Sequence, residues 1–473
     1  MRPATVLRLA TTGGRADILR IVMTALGAAA GTLALLCAAT VAAIGPQDGP
    51  YANDLLDQSG LHTGVIVTLV LLCIPLLVFV GQCSRIGAPA RDRRLAALRM
   101  AGATPADVTR VAAAESGLAA GAGAVAGLAI YLVGRELLHH VSGSPRDRVL
   151  SLPTDVLPPT WALALIVAGL PLAAALFSSA ALRRVAITPF GFLREPRPVP
   201  PRTLPAVLLL FGAFGMATFA GLIELLNLDG DGFMPGAALI FFVLFACAAG
   251  GLIAGSASVA AVLGRFLAPR VRQPWLLIAS RRMIALPLSA SRTSSAVLLA
   301  VLVGAILAGT RVQILQSTNH SHEFYAGTFD LLDIAIAVAL AIAAAGLLVN
   351  AAEGIVSRRR TYASLAAGGT PRSVLARAAL AETLLPLIPG VVLAAATGIL
   401  AARGVFGTTV QGPRDPLATA GPGTVIETVA VPVPWEQLGL LVGGSLLVML
   451  LTTAAALLFL RAATDPAELR AAA

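Results

Sequence analysis

Residues 61–105 read LHTGVIVTLVLLCIPLLVFVGQCSRIGAPARDRRLAALRMAGATP. The part up to Cys83 is predominantly apolar, and five arginines follow it before Pro105. An apolar segment of about 20 residues crosses the hydrocarbon core of a bilayer, and arginine is enriched on the cytoplasmic side of membrane proteins. This stretch therefore predicts a transmembrane helix that leads into a basic cytoplasmic loop.

The composition extends this prediction to the whole chain. Of its 473 residues, 57% are hydrophobic and only 12% are charged, whereas soluble proteins carry about 25% charged residues. The sequence predicts an all-α polytopic membrane protein with about ten transmembrane helices. The first is interpreted as a retained helix, because it is too long for a signal peptide. The candidate spans lie near 18–44, 61–83, 111–134, 161–182, 204–226, 236–263, 293–315, 328–351, 378–402 and 437–460.

The arginines predict the orientation of these spans. With both termini in the cytoplasm, 28 of the 34 arginines fall in cytoplasmic segments, as the positive-inside rule requires. The net charge of +10 is thus explained by topology, and nucleic acid is not an expected partner.

Several kinds of chemistry are excluded. The chain contains no lysine, so it has neither the Walker A lysine that reaches nucleotide phosphates nor a lysine Schiff base. No catalytic triad or HExxH motif occurs, and the four cysteines form no CxxC pair. We therefore expect no catalytic site and no bound cofactor in this chain. His320 and His322, in an outer loop, are weak candidates for metal ligands.

An internal repeat organises the chain. The loop after the second span reads Arg91-Asp-Arg-Arg-Leu-Ala-Ala-Leu-Arg-Met-Ala-Gly-Ala-Thr-Pro105, and the loop after the eighth reads Arg358-Arg-Arg-Thr-Tyr-Ala-Ser-Leu-Ala-Ala-Gly-Gly-Thr-Pro371. An offset of 266 residues pairs these loops, with a one-residue gap before Glu115 and Glu382. Both copies start from the cytoplasm, so the repeat is parallel. The expected organisation is a four-span unit with an N-terminal amphipathic segment over 1–190, a two-span insert with linkers over 191–270, and a second four-span unit over 271–473.

Each repeated loop predicts a helical elbow. A short helix ends at a capping glycine, Gly102 or Gly368. Thr104 or Thr370 then caps the next helix, which begins with a proline and runs into the membrane. Asp107 completes a capping box in the first copy. We expect Glu115 and Glu382, a few turns further on, either to pair with a loop arginine or to couple a conformational change.

The pattern Ala97-Leu-Arg-Met-Ala-Gly-Ala-Thr, followed by a glutamate that opens the next span, resembles the signature of FtsX-like permeases. The second copy, Ser364-Leu-Ala-Ala-Gly-Gly-Thr, matches less closely because only two residues separate Leu365 from Gly368. Such permeases are the membrane subunits of type VII ABC transporters of the MacB, LolCE and BceB kind. Unlike BceB-type members, this chain has only a short connection at about 316–328, where those carry a large extracellular domain.

The resemblance implies a cytoplasmic ABC ATPase homodimer as partner, which supplies ATP and Mg²⁺, and a location in the cell membrane with membrane lipid around the spans. It places the coupling contacts on the two loops. The residues that match are Arg93, Arg94, Leu98, Arg99, Gly102, Thr104, Pro105 and Glu115 in the first copy and Arg359, Arg360, Leu365, Gly368, Thr370, Pro371 and Glu382 in the second.

Three functions remain open at this point. The first is the permease of an ATP-driven exporter or extractor of an amphipathic or lipid-like substrate, such as an antimicrobial compound. The second is ATP-driven signalling across the membrane, either to a cell-wall hydrolase as an extracytoplasmic partner or to a sensor kinase. The third is an ion-coupled secondary transporter, which parallel repeats do not favour.

Overall fold

The fold is taken from a computed structural model. It describes residues 15–45, 48, 51, 59–83, 97, 100–142, 152–183, 203–226, 235–317, parts of 333–355, 359–413 and 426–459.

The chain forms two compact units. One comprises Met1–Glu195 with Leu348–Arg358, and the other comprises Pro196–Leu347 with Arg359–Ala473. The two helices of the predicted insert therefore pack with the second copy of the repeat. The predicted domain boundaries at 190 and 270 stay a prediction.

The first unit contains four long helices. They are α1 (Arg15–Ala43), α2 (Ser59–Cys83), α3 (Pro105–Ser142) and α4 (Thr160–Arg183). Ala28, Ala120 and Leu170 form a buried cluster that joins α1, α3 and α4. Small residues allow α1 and α3 to pack closely, since a Cβ atom on Gly127 would lie 2.6 Å from the carbonyl oxygen of Ala29.

The second unit is larger. Its helices are α5 (Leu204–Ala217), α6 (Phe219–Leu225), α7 (Pro235–Leu267), α8 (Pro274–Ala285), α9 (Pro287–Ser317), α10 (Arg359–Ala367), α11 (Arg372–Phe406) and α12 (Trp435–Ala456). Helix α9 lies at the centre, because every residue from Ala296 to Leu307 except Gly304 is a buried apolar core residue. Its main partner is α11, where Gly398 packs against Ala305.

Within the described residues, seven helices are long and apolar enough to cross a membrane. They correspond to predicted spans 1, 3, 4, 6, 7, 9 and 10. Span 2 corresponds to α2, of which the part Val65–Val78 is apolar but shorter than a full span, and span 8 is described only in parts. The chain is thus an all-α polytopic membrane protein, and the count of ten stays a prediction.

The fifth predicted span is not one continuous helix. Helices α5 and α6 meet at Thr218 with a bend of 73°. Thr218 and the two residues on either side of it are neither proline nor glycine, so the immediate sequence does not predict the break. A Cβ atom on Gly404 of α11 would overlap the carbonyl oxygen of Met216, next to the break. Tertiary packing of α11 against the end of α5 accounts for the position of the bend.

A β-hairpin follows α11. Strand β1 (Thr409–Pro413) pairs antiparallel with β2 (Ile426–Ala430), and Thr409 lies opposite Ala430. The alternating sequence from Thr424 to Pro434 predicts a strand or hairpin arm, and this prediction is confirmed.

Candidate functional site

The first elbow precedes α3. The amide of Ala101 donates to the carbonyl of Ala97 at 3.0 Å, and Gly102 has a φ of 92°. A residue in this left-handed region ends a helix, and glycine adopts it without strain. The predicted capping role of Gly102 is confirmed.

A capping box starts α3. The amide of Asp107 donates to Thr104 Oγ1 at 3.2 Å, and the amide of Thr104 donates to Asp107 Oδ2 at 3.3 Å. The Thr104 hydroxyl also donates to the same carboxylate oxygen at 2.7 Å. These contacts satisfy amides that a helix start leaves unpaired. The predicted cap at Thr104 and the helix start at Pro105 are confirmed.

The second elbow has a complete Schellman motif at the end of α10. The amide of Gly369 donates to the carbonyl of Ala366, and the amide of Thr370 donates to the carbonyl of Leu365, both at 3.0 Å. Gly369, with a φ of 87°, is the left-handed residue. The prediction that Gly368 fills this role is therefore wrong by one residue.

The predicted cap at Thr370 is also wrong. Helix α11 begins at Arg372, and Pro371 occupies the N-cap position in an extended conformation without a side-chain cap bond. The two Thr-Pro dipeptides are 266 residues apart, which is the offset predicted from the sequence. The left-handed glycines give an offset of 267, which needs no gap. With this offset Leu98 and Leu365 correspond, and Glu115 and Glu382 are each the eleventh residue of their helix.

Glu115 lies in a buried ion pair. Arg20 Nη2 of α1 donates to Glu115 Oε2 at 2.9 Å, and the two side chains are only 5% and 2% exposed. A charge in such surroundings is tolerated only with a close counter-charge. The pair joins α1 to α3 near the start of both helices.

Glu382 has the same kind of partner in the second unit. Arg282 Nη1 of α8 lies 3.6 Å from Glu382 Oε2 and donates to the hydroxyl oxygen of Tyr362 at 2.8 Å. The guanidinium also lies over the Tyr362 ring, 4.7 Å from its centre. Three elements, α8, α10 and α11, thus meet at one arginine.

Pairing with an arginine was one of the two roles predicted for these glutamates, and among the described residues the partners are arginines of helices. Both arginines are helical: Arg20 lies in the spanning helix α1, and Arg282 lies in α8, before the first span of its copy. They are separated from their glutamates by about 100 residues, so local sequence gave no hint. The feature of the sequence that predicts a cationic partner is the glutamate at the same place in two apolar helices, because a carboxylate in such a helix needs a cation nearby.

Both long helices carry a membrane-sized uncharged segment. In α3 no charge occurs between Glu115 and Arg135, and in α11 none occurs between Glu382 and Arg403. These segments of 19 and 20 residues match the length that spans the hydrocarbon core, about 20 residues. The ten residues before each glutamate extend about 15 Å further, at 1.5 Å per residue. The elbows therefore stand clear of the hydrocarbon.

The tips of the two elbows differ. Met100 is 85% exposed at the first, and the corresponding residue of the second is Ala367. The second elbow instead has an open cleft of about 330 Å³ lined by small residues, among them Ala363 and Ala367. Arg93, Arg94, Leu98, Arg99, His320 and His322 lie outside the described residues, and the side chains of Arg359 and Arg360 are not described.

A pair of neighbouring glycines tests the corrected register. Gly369→Ala is expected to destabilise the second elbow by about 1–2 kcal/mol, the cost of a left-handed residue with a Cβ atom. Gly368→Ala, whose Cβ would lie 3.5 Å from its nearest neighbours at an ordinary φ, is expected to have little effect. Hydrogen exchange of residues 361–371 measures both. Equal effects of the two substitutions would contradict the assignment of Gly369.

The comparisons with known proteins give one family. A family model described as FtsX-like permease C-terminal matches residues 64–189 and 333–464, together slightly more than half of the chain. Each match begins within the second span of a copy and includes its elbow. No curated protein and no solved structure matches the chain. The two matches identify this multi-pass membrane protein as a member of the FtsX-like permease family, the membrane components of ABC-type transporters.

Proposed function

We propose that this chain is the permease subunit of an ATP-driven transporter in the cell membrane, and that its two elbows dock a separate cytoplasmic ATPase dimer. The observation that carries the proposal is the repeated elbow, which leads into a long helix with a buried Arg–Glu pair. The arginine distribution supports a topology with both termini in the cytoplasm, where both elbows reach the ATPase. ATP and Mg²⁺ belong to that partner, because this chain has no lysine for a Walker A motif.

Each ion pair connects the helix that carries an elbow to another helix of the same unit. Each elbow is continuous with a helix of 35 residues or more, so a displacement of the elbow also displaces the start of that helix. Arg20–Glu115 fixes α3 to α1, and Arg282–Glu382 fixes α11 to α8. Movement of an elbow would therefore shift spanning helices in its own unit, which is what coupling to ATP hydrolysis requires.

We propose an amphipathic or lipid-like substrate, a class that includes antimicrobial compounds. The sequence has no extracytoplasmic loop of the size of a folded domain, so the bilayer itself would present the substrate. Signalling through an extracytoplasmic partner is the second candidate. The β1–β2 hairpin favours it, because Arg403 Nη2 of α11 donates to the carbonyl of Val431, directly after β2, at 3.3 Å. This contact links the hairpin to the helix that carries the second elbow.

Charges at the elbow tips test the docking role. Met100→Asp and Ala367→Asp are expected to lower affinity for the ATPase and the stimulated ATP turnover by about thirtyfold, the effect of losing roughly 2 kcal/mol at an interface hot spot. The measurement is co-purification of the ATPase from membranes, followed by an ATPase assay. Glu136→Gln, at the opposite end of α3, serves as the control. Unchanged association in both tip variants would contradict docking at the elbows.

A further inference from the structure

The connection between α7 and α8 concentrates positive charge. Exposed arginines lie at positions 265, 270, 272 and 281. We call this segment, Arg265–Arg281, the arginine turn. The sequence contains no aspartate or glutamate between Asp231 and Glu323, so every charged residue of this segment is an arginine.

Apolar side chains are exposed on and beside the arginine turn. Phe266 is 55% exposed and Leu277 is 39% exposed. The Arg270 guanidinium lies 4.0 Å from the centre of the Phe266 ring and donates to the Phe266 carbonyl at 3.0 Å. Arginine mixed with apolar side chains is typical of segments that lie among lipid headgroups.

Close packing makes these arginines parts of one surface. A Cβ atom on Gly264 of α7 would lie 2.7 Å from the carbonyl oxygen of Ser280 of α8. Arg265 and Arg281 are the next residues on the two helices, so they flank this crossing. Helix α8 is itself fixed in the core, where Met283 packs with Ala260 of α7.

One residue connects this surface to the second elbow. Arg281 is exposed, and the next residue, Arg282, holds Glu382 of α11 and Tyr362 of α10. The first elbow is held differently, because the partner of Glu115 is Arg20 of the spanning helix α1. A force on α8 therefore reaches the second elbow directly.

We propose that the arginine turn binds the phosphate-bearing headgroups of anionic phospholipids, and that this contact stabilises the second elbow through Arg282. The charge of the surface selects anionic over zwitterionic lipid, and the exposed Phe266 and Leu277 enter the edge of the acyl region. The second elbow thus responds to the lipid composition of the membrane, and the first does not. This response requires no ATPase, so its test is independent of the proposed docking of the ATPase.

The test is hydrogen exchange on the full chain in nanodiscs of phosphatidylcholine with or without phosphatidylglycerol. Phosphatidylglycerol is expected to slow exchange in residues 274–285 and in residues 361–371, while residues 100–110 exchange equally in both lipids. Equal exchange of 274–285 in both lipids would overturn lipid binding. Protection of 274–285 without protection of 361–371 would overturn the link to the elbow.

Variants identify the ligand. Replacement of the arginines at 265, 270, 272 and 281 by glutamine is expected to abolish the difference between the lipids, at about fivefold in affinity per arginine near an anionic surface. The same four replacements by lysine keep the charge and are expected to retain the difference between the lipids, which separates loss of binding from misfolding.

The proposal fails if phosphatidylglycerol still protects the glutamine variant. It also fails if inorganic phosphate alone protects the native chain in phosphatidylcholine, since the ligand would then be free phosphate. Loss of ATPase association with an unchanged lipid response would assign the surface to a protein partner instead.

Discussion

Glu115→Ala is expected to lower the free energy of unfolding by about 3–5 kcal/mol, because it removes a carboxylate that pairs with a buried arginine. The Arg20 side chain is only 5% exposed, and its Nη2 lies 2.9 Å from the lost carboxylate oxygen. The helix to which it belongs packs along α3, so the guanidinium cannot reach water without separating the two helices. We expect the loss to appear as lower thermal stability in detergent and as faster proteolysis of the first unit.

Two controls separate the buried charge from a general effect of substitution. Glu136 lies on the same helix and pairs with His140 at 3.2 Å, but both side chains are more than half exposed. Glu136→Ala is therefore expected to cost less than about 1 kcal/mol. The double replacement Arg20→Met with Glu115→Leu removes both charges and is expected to recover most of the loss. If Glu115→Ala cost no more than Glu136→Ala, the pair would have no structural role.

The second copy should respond less strongly. Glu382→Ala removes a carboxylate that lies 3.6 Å from Arg282, whereas Arg282 keeps its hydrogen bond to Tyr362 and its position over that ring. The remaining partners compensate part of the charge. A smaller loss for Glu382→Ala than for Glu115→Ala is thus expected, and the same thermal unfolding experiment measures it.

Features encoded by short stretches of sequence could be predicted. The spans follow from apolar runs, and the start of α3 follows from Thr104, Pro105 and Asp107 within one turn. The hairpin arm at 426–430 follows from local alternation. In each case the residues that determine the structure lie next to one another, so no knowledge of tertiary contacts was needed.

Features that depend on distant residues could not be predicted. The partners of Glu115 and Glu382 are about 100 residues away, and the bend at Thr218 lies against Gly404 of another helix. The one-residue error at Gly368 has a different cause. Two adjacent glycines precede Thr370, and both fit a helix end, so the dipeptide Thr-Pro decided the alignment. The backbone shows that the hydrogen bonds of α10 close at Gly369, one residue later.

The packing of α5 against α7 provides a second strong prediction, at two adjacent glycines of α7. A Cβ atom on Gly251 would lie 2.7 Å from Leu209 Cα and 2.8 Å from the Pro205 carbonyl oxygen of α5, whereas a Cβ on Gly250 meets nothing within 4 Å. Gly251→Ala forces the two backbones apart and is expected to destabilise the unit by about 1–3 kcal/mol. Gly250→Ala only improves helix propensity and is expected to stabilise α7 by up to about 1 kcal/mol.

The opposite signs make this comparison decisive, because both variants make the same chemical change in the same turn of one helix. Thermal unfolding in detergent gives the signs, and hydrogen exchange of residues 204–226 locates the damage. Gly251→Ala should speed exchange in α5, since the contact it disrupts involves Pro205 and Leu209 of that helix. Equal stabilisation by both substitutions would mean that α5 does not approach α7 at Gly251.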